Sequence, residues 1–185
     1  MNENFEEQKT RKPKRILALI LSGIYVLIVL PIVGIFVSLY LDSLIGWSQI
    51  IPYPFNMIVA VIFLATGFLF GIWSNIEIFR TGKGSPVPLK GTHTTELVIK
   101  GPYKYSRNPM VFGYILFWLG LGFAFNSPFL TIGFAAFVTI ILIILVKLWE
   151  EKNMTKRFGN AYVEYKKGVS FLIPFPSKKK SQLEI

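Results

Sequence analysis

The sequence predicts an all-α, polytopic membrane protein with about four transmembrane helices and a C-terminal helix that lies at the membrane interface. Three observations support this fold class. Hydrophobic residues make up 52% of the 185 residues and the mean hydropathy is +0.52, which is more apolar than a soluble domain of this size. The apolar residues gather in long uncharged stretches. The basic residues fall between those stretches.

The N-terminal half contains two apolar stretches that are each long enough to cross a bilayer. Ile16–Leu41 has no charged residue, and Phe55–Phe79 is apolar except for Asn75 and Glu77 near its end. A helix that rises about 1.5 Å per residue needs about 20 residues to cross the hydrocarbon core. Pro31 is expected to kink the first helix, which neighbouring helices tolerate in a membrane. The first stretch is too long for a signal-peptide core, so we expect it to be retained.

The C-terminal apolar region, Met110–Val146, is too long for one membrane helix. Asn126-Ser127-Pro128 supplies a turn signal near its middle. We therefore divide the region into two shorter helices, Met110–Phe125 and Phe129–Val146, which form a tight hairpin.

The distribution of the 20 basic residues tests this division into four spans. Five lie in residues 1–15, six lie from Arg80 to Arg107, and nine lie from Lys147 onward. The two connections at 42–54 and 126–128 carry none. With four spans, every basic segment lies on one side of the membrane, and the positive-inside rule makes that side cytoplasmic.

The predicted organisation follows from this topology. It is a multi-pass protein of the cell membrane with both termini in the cytoplasm. Residues 1–15 form a basic tail, residues 16–80 form two N-terminal helices, and residues 81–185 form the core that carries the polar motifs.

Composition excludes several kinds of site. The chain has no cysteine and one histidine, His93, which excludes cysteine nucleophiles and thiolate or histidine-rich metal sites. The net charge of +10 is explained by topology and by contact with anionic lipid, so we expect a bilayer and not nucleic acid as the partner. The spans hold too few polar residues for an ion channel or a charge-driven transporter. Glu77 is the only charged residue within a predicted span, and Arg80 is its expected partner.

The polar residues that could form a functional site are concentrated at the cytoplasmic edge, in two segments. The first, at 82–109, is rich in glycine and proline, which break helices and allow a backbone to approach a ligand closely. The second begins at Glu150-Glu151 and continues as an amphipathic stretch. Its apolar residues recur at helical spacing, which predicts a helix in the membrane interface. These residues are Met154, Phe158, Tyr162, Tyr165 and Val169.

Read as one string, these segments resemble the isoprenylcysteine carboxyl methyltransferase family and its phospholipid methyltransferase relatives. The resemblance covers about the last 105 residues. The matching strings are Gly82-Lys83-Gly84-Ser85-Pro86, Glu96-Leu97-Val98, Gly101-Pro102-Tyr103, Tyr105-Ser106-Arg107-Asn108-Pro109-Met110, Glu150-Glu151, and Phe158-Gly159.

The resemblance implies that the loop before the hairpin and the helix exit after it enclose S-adenosylmethionine. The cofactor-binding positions it implies are Gly82, Gly84, Thr95, Glu96, Leu97, Val98, Tyr103, Asn108, Pro109, Met110, Val111, Glu150 and Glu151. It also implies catalytic positions at Arg107, Asn108 and Lys147. Asn108 and Val111 stand where the prenylcysteine enzymes have histidine and tyrosine.

The function implied is an integral membrane methyltransferase that acts on an amphiphilic or lipid-like small molecule entering from the bilayer. The acceptor group is left open among a carboxylate, an amine and a thiol. Two alternatives belong to other classes. One is a membrane reductase of the sterol type, which would require a nicotinamide cofactor, and the other is a non-catalytic membrane protein with a degenerate cofactor site.

Overall fold

The structure is a computed structural model that describes residues 21, 23–82 and 94–176. Five helices organise this part of the chain, and a short 3₁₀ turn at Gly101–Lys104 precedes the third. They are α1 (Tyr25–Ile45), α2 (Phe55–Thr81), α3 (Pro109–Ala124), α4 (Phe129–Phe158) and α5 (Asn160–Gly168). Helices α1, α2 and α4 are long and apolar enough to cross a membrane, and α3 is a shorter apolar helix. The predicted all-α membrane fold is confirmed.

The predicted end of the fourth helix is wrong. The fourth span was expected to end at Val146, but α4 continues to Phe158 through a widened π-helical turn at Val146–Glu150. Charged residues begin at Lys147, which marks where the apolar stretch stops and not where the helix stops. Between Lys147 and Phe158 there is no glycine or proline to break the helix. Gly159, with φ +54°, supplies the break.

Helices α2 and α3 pack with their backbones in near contact. A Cβ atom placed on Gly67 would lie 2.7 Å from the Gly113 carbonyl oxygen, and one placed on Gly113 would lie 2.7 Å from the Gly67 oxygen. Small residues allow such close approach, on which helix association in lipid depends. The buried core beside this contact comprises Trp118, Leu130, Ala135 and Val138.

The two connections that carry no basic residue meet at one end of the bundle. The buried Asp42 carboxylate accepts hydrogen bonds from the Ser127 hydroxyl and from the Phe129 amide, the latter at 2.9 Å. The Asn126 side chain accepts from the Ile50 amide at 2.9 Å. Its amide group donates to the Ile51 carbonyl at 2.8 Å. The connection after α1 is thereby fixed to the turn between α3 and α4, and the polar segments lie at the opposite end.

Replacing Asp42 with alanine removes an acceptor from two buried donors at the start of α4. Each unsatisfied donor costs about 1–3 kcal/mol, so we expect a clear fall in the thermal unfolding midpoint of the detergent-solubilised protein. Ser43→Ala is the matched control, because the Ser43 hydroxyl bonds to the Tyr40 carbonyl in an exposed position. Equal shifts for the two variants would contradict this role for Asp42.

Candidate functional site

The glycine at the end of α2 holds the following loop close to the helix. The Gly82 carbonyl accepts hydrogen bonds from the Thr95 amide at 2.9 Å and the Glu96 amide at 3.5 Å. A Cβ atom on Gly82 would lie 2.8 Å from a Thr94 methyl carbon and 2.9 Å from one of Val98, so only glycine fits without a shift. The structure therefore brings Gly82 to the predicted Thr95, Glu96 and Val98 positions. Gly84 and His93 lie outside the described residues.

The amphipathic stretch from Met154 to Val169 packs against this loop with its apolar face. Tyr162, Tyr165 and Val169 are buried against one another. Partly buried Leu97 and Ile99 of the loop, together with Met154 and Phe158, pack against them. The spacing predicted the helical face correctly, but these residues pack on protein, and the stretch is divided at Gly159 into the end of α4 and α5. The Tyr165 hydroxyl donates to the Tyr103 carbonyl at 2.7 Å, which fixes the 3₁₀ turn to α5.

A segment at residues 170–175, the C-terminal strap, runs beside residues 105–108. Ser106 and Ser170 form an isolated parallel bridge, and the Arg107 amide donates to the Ser170 carbonyl at 2.8 Å. The Ser106 hydroxyl donates to the Leu172 carbonyl at 2.7 Å, and the Asn108 side-chain amide donates to the Phe171 carbonyl at 2.7 Å. Asn108 is a predicted catalytic and cofactor position. Its side chain thus hydrogen-bonds to the strap.

The two adjacent glutamates at the exit of α4 have different surroundings. Glu151 is buried, and its two carboxylate oxygens accept from Arg107 and from Lys166. A buried carboxylate needs such compensation, because removing a charge from water is expensive. Glu151 therefore joins α4 to α5 and to the start of α3. The pKa of the neighbouring Tyr162 is raised to about 12, mainly by burial and also by the Glu151 carboxylate, against an opposing effect of Arg107.

Tyr103 lies among acidic and hydroxyl side chains from two helices. Burial raises the pKa of Tyr103 well above its usual value, and the carboxylates of Glu150 and Glu77 raise it further, while a hydrogen bond with Ser74 lowers it. The phenol therefore stays protonated at neutral pH. Ser74 and Glu77 belong to α2, and Glu150 belongs to α4. The Tyr103 phenol thus lies within electrostatic reach of side chains from both helices.

Glu77 contacts this turn directly. One carboxylate oxygen accepts from the Thr81 hydroxyl at 2.5 Å. A Cβ atom placed on Gly101 would lie 2.8 Å from the other oxygen, Oε2. The expected partner was Arg80, whereas the hydrogen bond recorded in the described part of the chain comes from Thr81. Gly101, with φ +58°, allows the close approach because it has no side chain.

The three predicted catalytic residues meet around Phe171. The Arg107 guanidinium carbon lies 5.5 Å from the centre of the Phe171 ring, and Lys147 Nζ lies 5.2 Å from it. Both distances suit cation–π contacts. Asn108 bonds to the backbone of the same residue. Neither Phe171 nor Lys166 was identified from the sequence, because a single aromatic residue and a single lysine in a basic tail give no pattern.

The remaining predicted cofactor positions lie at the start of α3 and on the loop. Pro109 is buried at the first position of α3, and Met110 and Val111 are half-buried in its first turn. An open groove of about 390 Å³ runs along α4 and is mostly apolar. Its lining residues are Ile144, Leu145, Leu148, Trp149 and Lys152.

The side chains present fit the charges of S-adenosylmethionine, which has an ammonium, a sulfonium and a carboxylate. Arg107 Nε is a buried donor with no hydrogen-bond partner among the described residues, so it can serve a carboxylate. Glu150 offers an anion for an ammonium or for ribose hydroxyls. Tyr103 offers an aromatic ring for a sulfonium methyl. Glu151 is already engaged by two cations, which leaves Glu150 as the carboxylate of the pair that suits a ligand.

Comparison with known proteins gives matches over the same region. A family model described as phospholipid methyltransferase matches residues 55–161. The methanethiol S-methyltransferase of Pseudomonas deceptionensis is 33% identical over 135 residues, which cover 70% of this chain and 42% of that protein. The methanethiol S-methyltransferase of Crocosphaera subtropica is 31% identical over 144 residues, which cover 75% of this chain and 51% of that protein. The chain thus matches about half the length of these relatives, or less.

We expect Glu151→Ala to destabilise the polar end of the molecule strongly. The change leaves the buried Arg107 without its anion, and breaking a buried ion pair costs about 3–5 kcal/mol. Glu164→Ala is the control, because Glu164 pairs with Lys167 on the exposed side of α5 and such pairs contribute about 0–1 kcal/mol. The measurement is the unfolding midpoint in detergent. A Glu151→Ala midpoint within error of the Glu164→Ala midpoint would contradict the assignment.

Proposed function

The chain belongs to the phospholipid methyltransferase family, and on that premise we propose that it is a membrane S-methyltransferase that moves a methyl group from S-adenosylmethionine to a small thiol. One observation carries the proposal. Tyr103 is half-buried within electrostatic reach of the carboxylates of Glu77 and Glu150, at the end of the bundle where Arg107 and Lys147 also lie. Anionic, aromatic and cationic groups in one place match a ligand that carries both signs of charge.

The proposed roles follow from the surroundings of each side chain. Glu150 holds the ammonium or the ribose hydroxyls, and a charge-assisted hydrogen bond of this kind contributes about 1.5–3 kcal/mol. Arg107 and Lys147 hold the carboxylate. Tyr103 places its ring near the sulfonium, where a cation–π contact contributes about 0.5–2 kcal/mol. Gly82 keeps the Thr95–Val98 segment close to α2, so that the backbone of this segment can approach the adenosine part.

The cofactor supplies an activated methyl group on a positively charged sulfur. The protein then has two tasks, which are to align the acceptor sulfur in line with the bond that breaks and to exclude water. The packing of α5 and the C-terminal strap over the loop serves the second task. A small apolar thiol dissolves in the bilayer and can therefore reach the protein from the membrane.

The relatives favour a thiol among the three acceptor groups that the sequence left open, because those named above are methanethiol S-methyltransferases. They also favour a methyltransferase over a reductase of the sterol type. We further propose that the end of the bundle that carries Tyr103 and Glu150 faces the cytoplasm. The basic residues lie on this side of the predicted topology, and a soluble, charged donor can reach the site there without entering the membrane.

The direct test is methyl transfer by the purified protein in lipid vesicles, with methyl-labelled S-adenosylmethionine as donor. We expect methanethiol to be converted to dimethyl sulfide. We expect Glu150→Ala to raise the KM for the donor by about tenfold to a hundredfold, because 1.4 kcal/mol corresponds to a factor of ten. Lys156→Ala, an exposed position on α4, is the control and should leave the KM unchanged.

Parallel assays with a prenylcysteine and with phosphatidylethanolamine distinguish the acceptor classes. Preferential methylation of either lipid acceptor would contradict the thiol assignment while leaving the donor intact. A well-folded protein that methylates none of the three acceptors and does not bind S-adenosylhomocysteine would overturn the proposal and favour a non-catalytic role.

A further inference from the structure

The Glu77 carboxylate is a charged group in the last two turns of a membrane-spanning helix. Ionisable side chains within such helices are expensive and therefore tend to have a function. Glu77 is partly buried. Thr81, one helical turn further on, donates to its Oε1 at 2.5 Å, which fixes the orientation of the carboxylate. Thr81 thereby holds Glu77 in one rotamer and leaves Oε2 on the side of the loop.

The second oxygen is directed at the turn that carries Tyr103. Oε2 would lie 2.8 Å from a Cβ atom placed on Gly101, and the Trp73 indole nitrogen would lie 3.1 Å from the same point. Tyr103 is two residues beyond Gly101, and the charges of Glu77 and Glu150 both act on its phenol. Glu77 therefore reaches the proposed methyl-transfer site from α2, while Glu150 reaches it from α4.

The other acidic side chains near this end are less suited to accept a proton from a substrate. Glu151 is bound to Arg107 and Lys166. Glu150 is assigned to the donor, and Glu96 is exposed on the loop. Tyr103 stays protonated, because burial raises its pKa. Glu77 is the carboxylate that combines partial burial, a fixed orientation and contact with the turn.

A thiol acceptor makes a proton acceptor necessary, because the thiolate is the nucleophile and an alkanethiol is protonated at neutral pH. We propose that Glu77 Oε2 takes the proton of the acceptor thiol as its sulfur attacks the methyl group, an inference that rests on the function proposed above. The S–H bond breaks and its proton passes to the carboxylate. The new S–CH₃ bond forms with the sulfur electron pair. The bond from the methyl carbon to the sulfonium breaks, and its electron pair makes that sulfur neutral.

The test compares two thiols of different acidity in Glu77→Gln, which keeps the size of the side chain and an oxygen for Thr81. Methanethiol needs a base, whereas an acidic aromatic thiol such as pentafluorothiophenol is already ionised at the assay pH. We expect kcat/KM for methanethiol to fall by about 10²–10⁴-fold, the usual contribution of a general base. For the aromatic thiol we expect a change of less than about threefold, since that reaction bypasses the base.

Titration of S-adenosylhomocysteine into each protein reports folding and donor binding, and Glu164→Gln on the exposed side of α5 is the control for a lost charge. Glu77→Asp is the second variant and keeps a carboxylate that is one methylene shorter. It should slow methanethiol by about tenfold while sparing the aromatic thiol.

The proposal is overturned if a variant that binds S-adenosylhomocysteine slows both thiols equally, since Glu77 would then only support the turn. It is also overturned if neither thiol is slowed. If the wild-type protein binds S-adenosylhomocysteine but methylates no thiol, the proposed function itself is wrong. This result is distinguishable from the first two.

Discussion

The buried carboxylate of Glu151 is the interaction on which the polar end of the molecule depends. It accepts from Arg107, which precedes α3, and from Lys166 on α5, so that three parts of the chain that are distant in sequence meet at one charge. Arg107 in turn carries a backbone bond to the C-terminal strap. A buried ion pair of this kind is costly to break, because losing one partner leaves an uncompensated charge inside the protein. The site can therefore be precise although it lies on loops.

The membrane imposes a complementary constraint on the rest of the fold. Backbone groups must be hydrogen-bonded within each spanning segment, because lipid offers them no partner. Helices therefore span the hydrocarbon region, and polar side chains are confined to the ends. At one end Asp42 and Asn126 hydrogen-bond the end of α1 and the connection after it to the turn between α3 and α4. At the other end the loop after α2 is held by Gly82 and covered by α5. The apolar bundle thus serves as a rigid platform that presents Glu77 and Glu150 to the same turn.

Much of this fold is predictable from the sequence, because apolar length and basic residues report directly on the bilayer. The predicted second span, Phe55–Phe79, differs from α2 (Phe55–Thr81) by two residues at its end. The end of α4 was missed, because hydropathy falls at Lys147 while helix propensity persists to Phe158. The apolar spacing after Glu151 predicted a helix in the membrane interface, whereas in the structure this apolar face packs on protein.

The candidate site, like the fold, is predictable from the sequence only in part. Family motifs pointed to Gly82, Tyr103, Arg107 and Glu150, and the structure places these at one end of the bundle. The contacts that hold this part of the chain, such as the hydrogen bond from the Ser106 hydroxyl to the Leu172 backbone carbonyl, join residues 66 positions apart that no local pattern connects. Nor could the sequence separate the two adjacent glutamates, whose different roles depend on which cations lie within reach in three dimensions.

Photochemical cross-linking of labelled S-adenosylmethionine is the most direct test of the proposed donor site, because it reports both whether the donor binds and where it binds. The wild-type protein in vesicles would be irradiated with the labelled donor, digested, and the labelled peptide identified by mass spectrometry. We expect label within residues 94–107 or at the exit of α4 near Glu150, and loss of that label when excess S-adenosylhomocysteine is present. Label elsewhere in the chain, or label that S-adenosylhomocysteine does not displace, would contradict it.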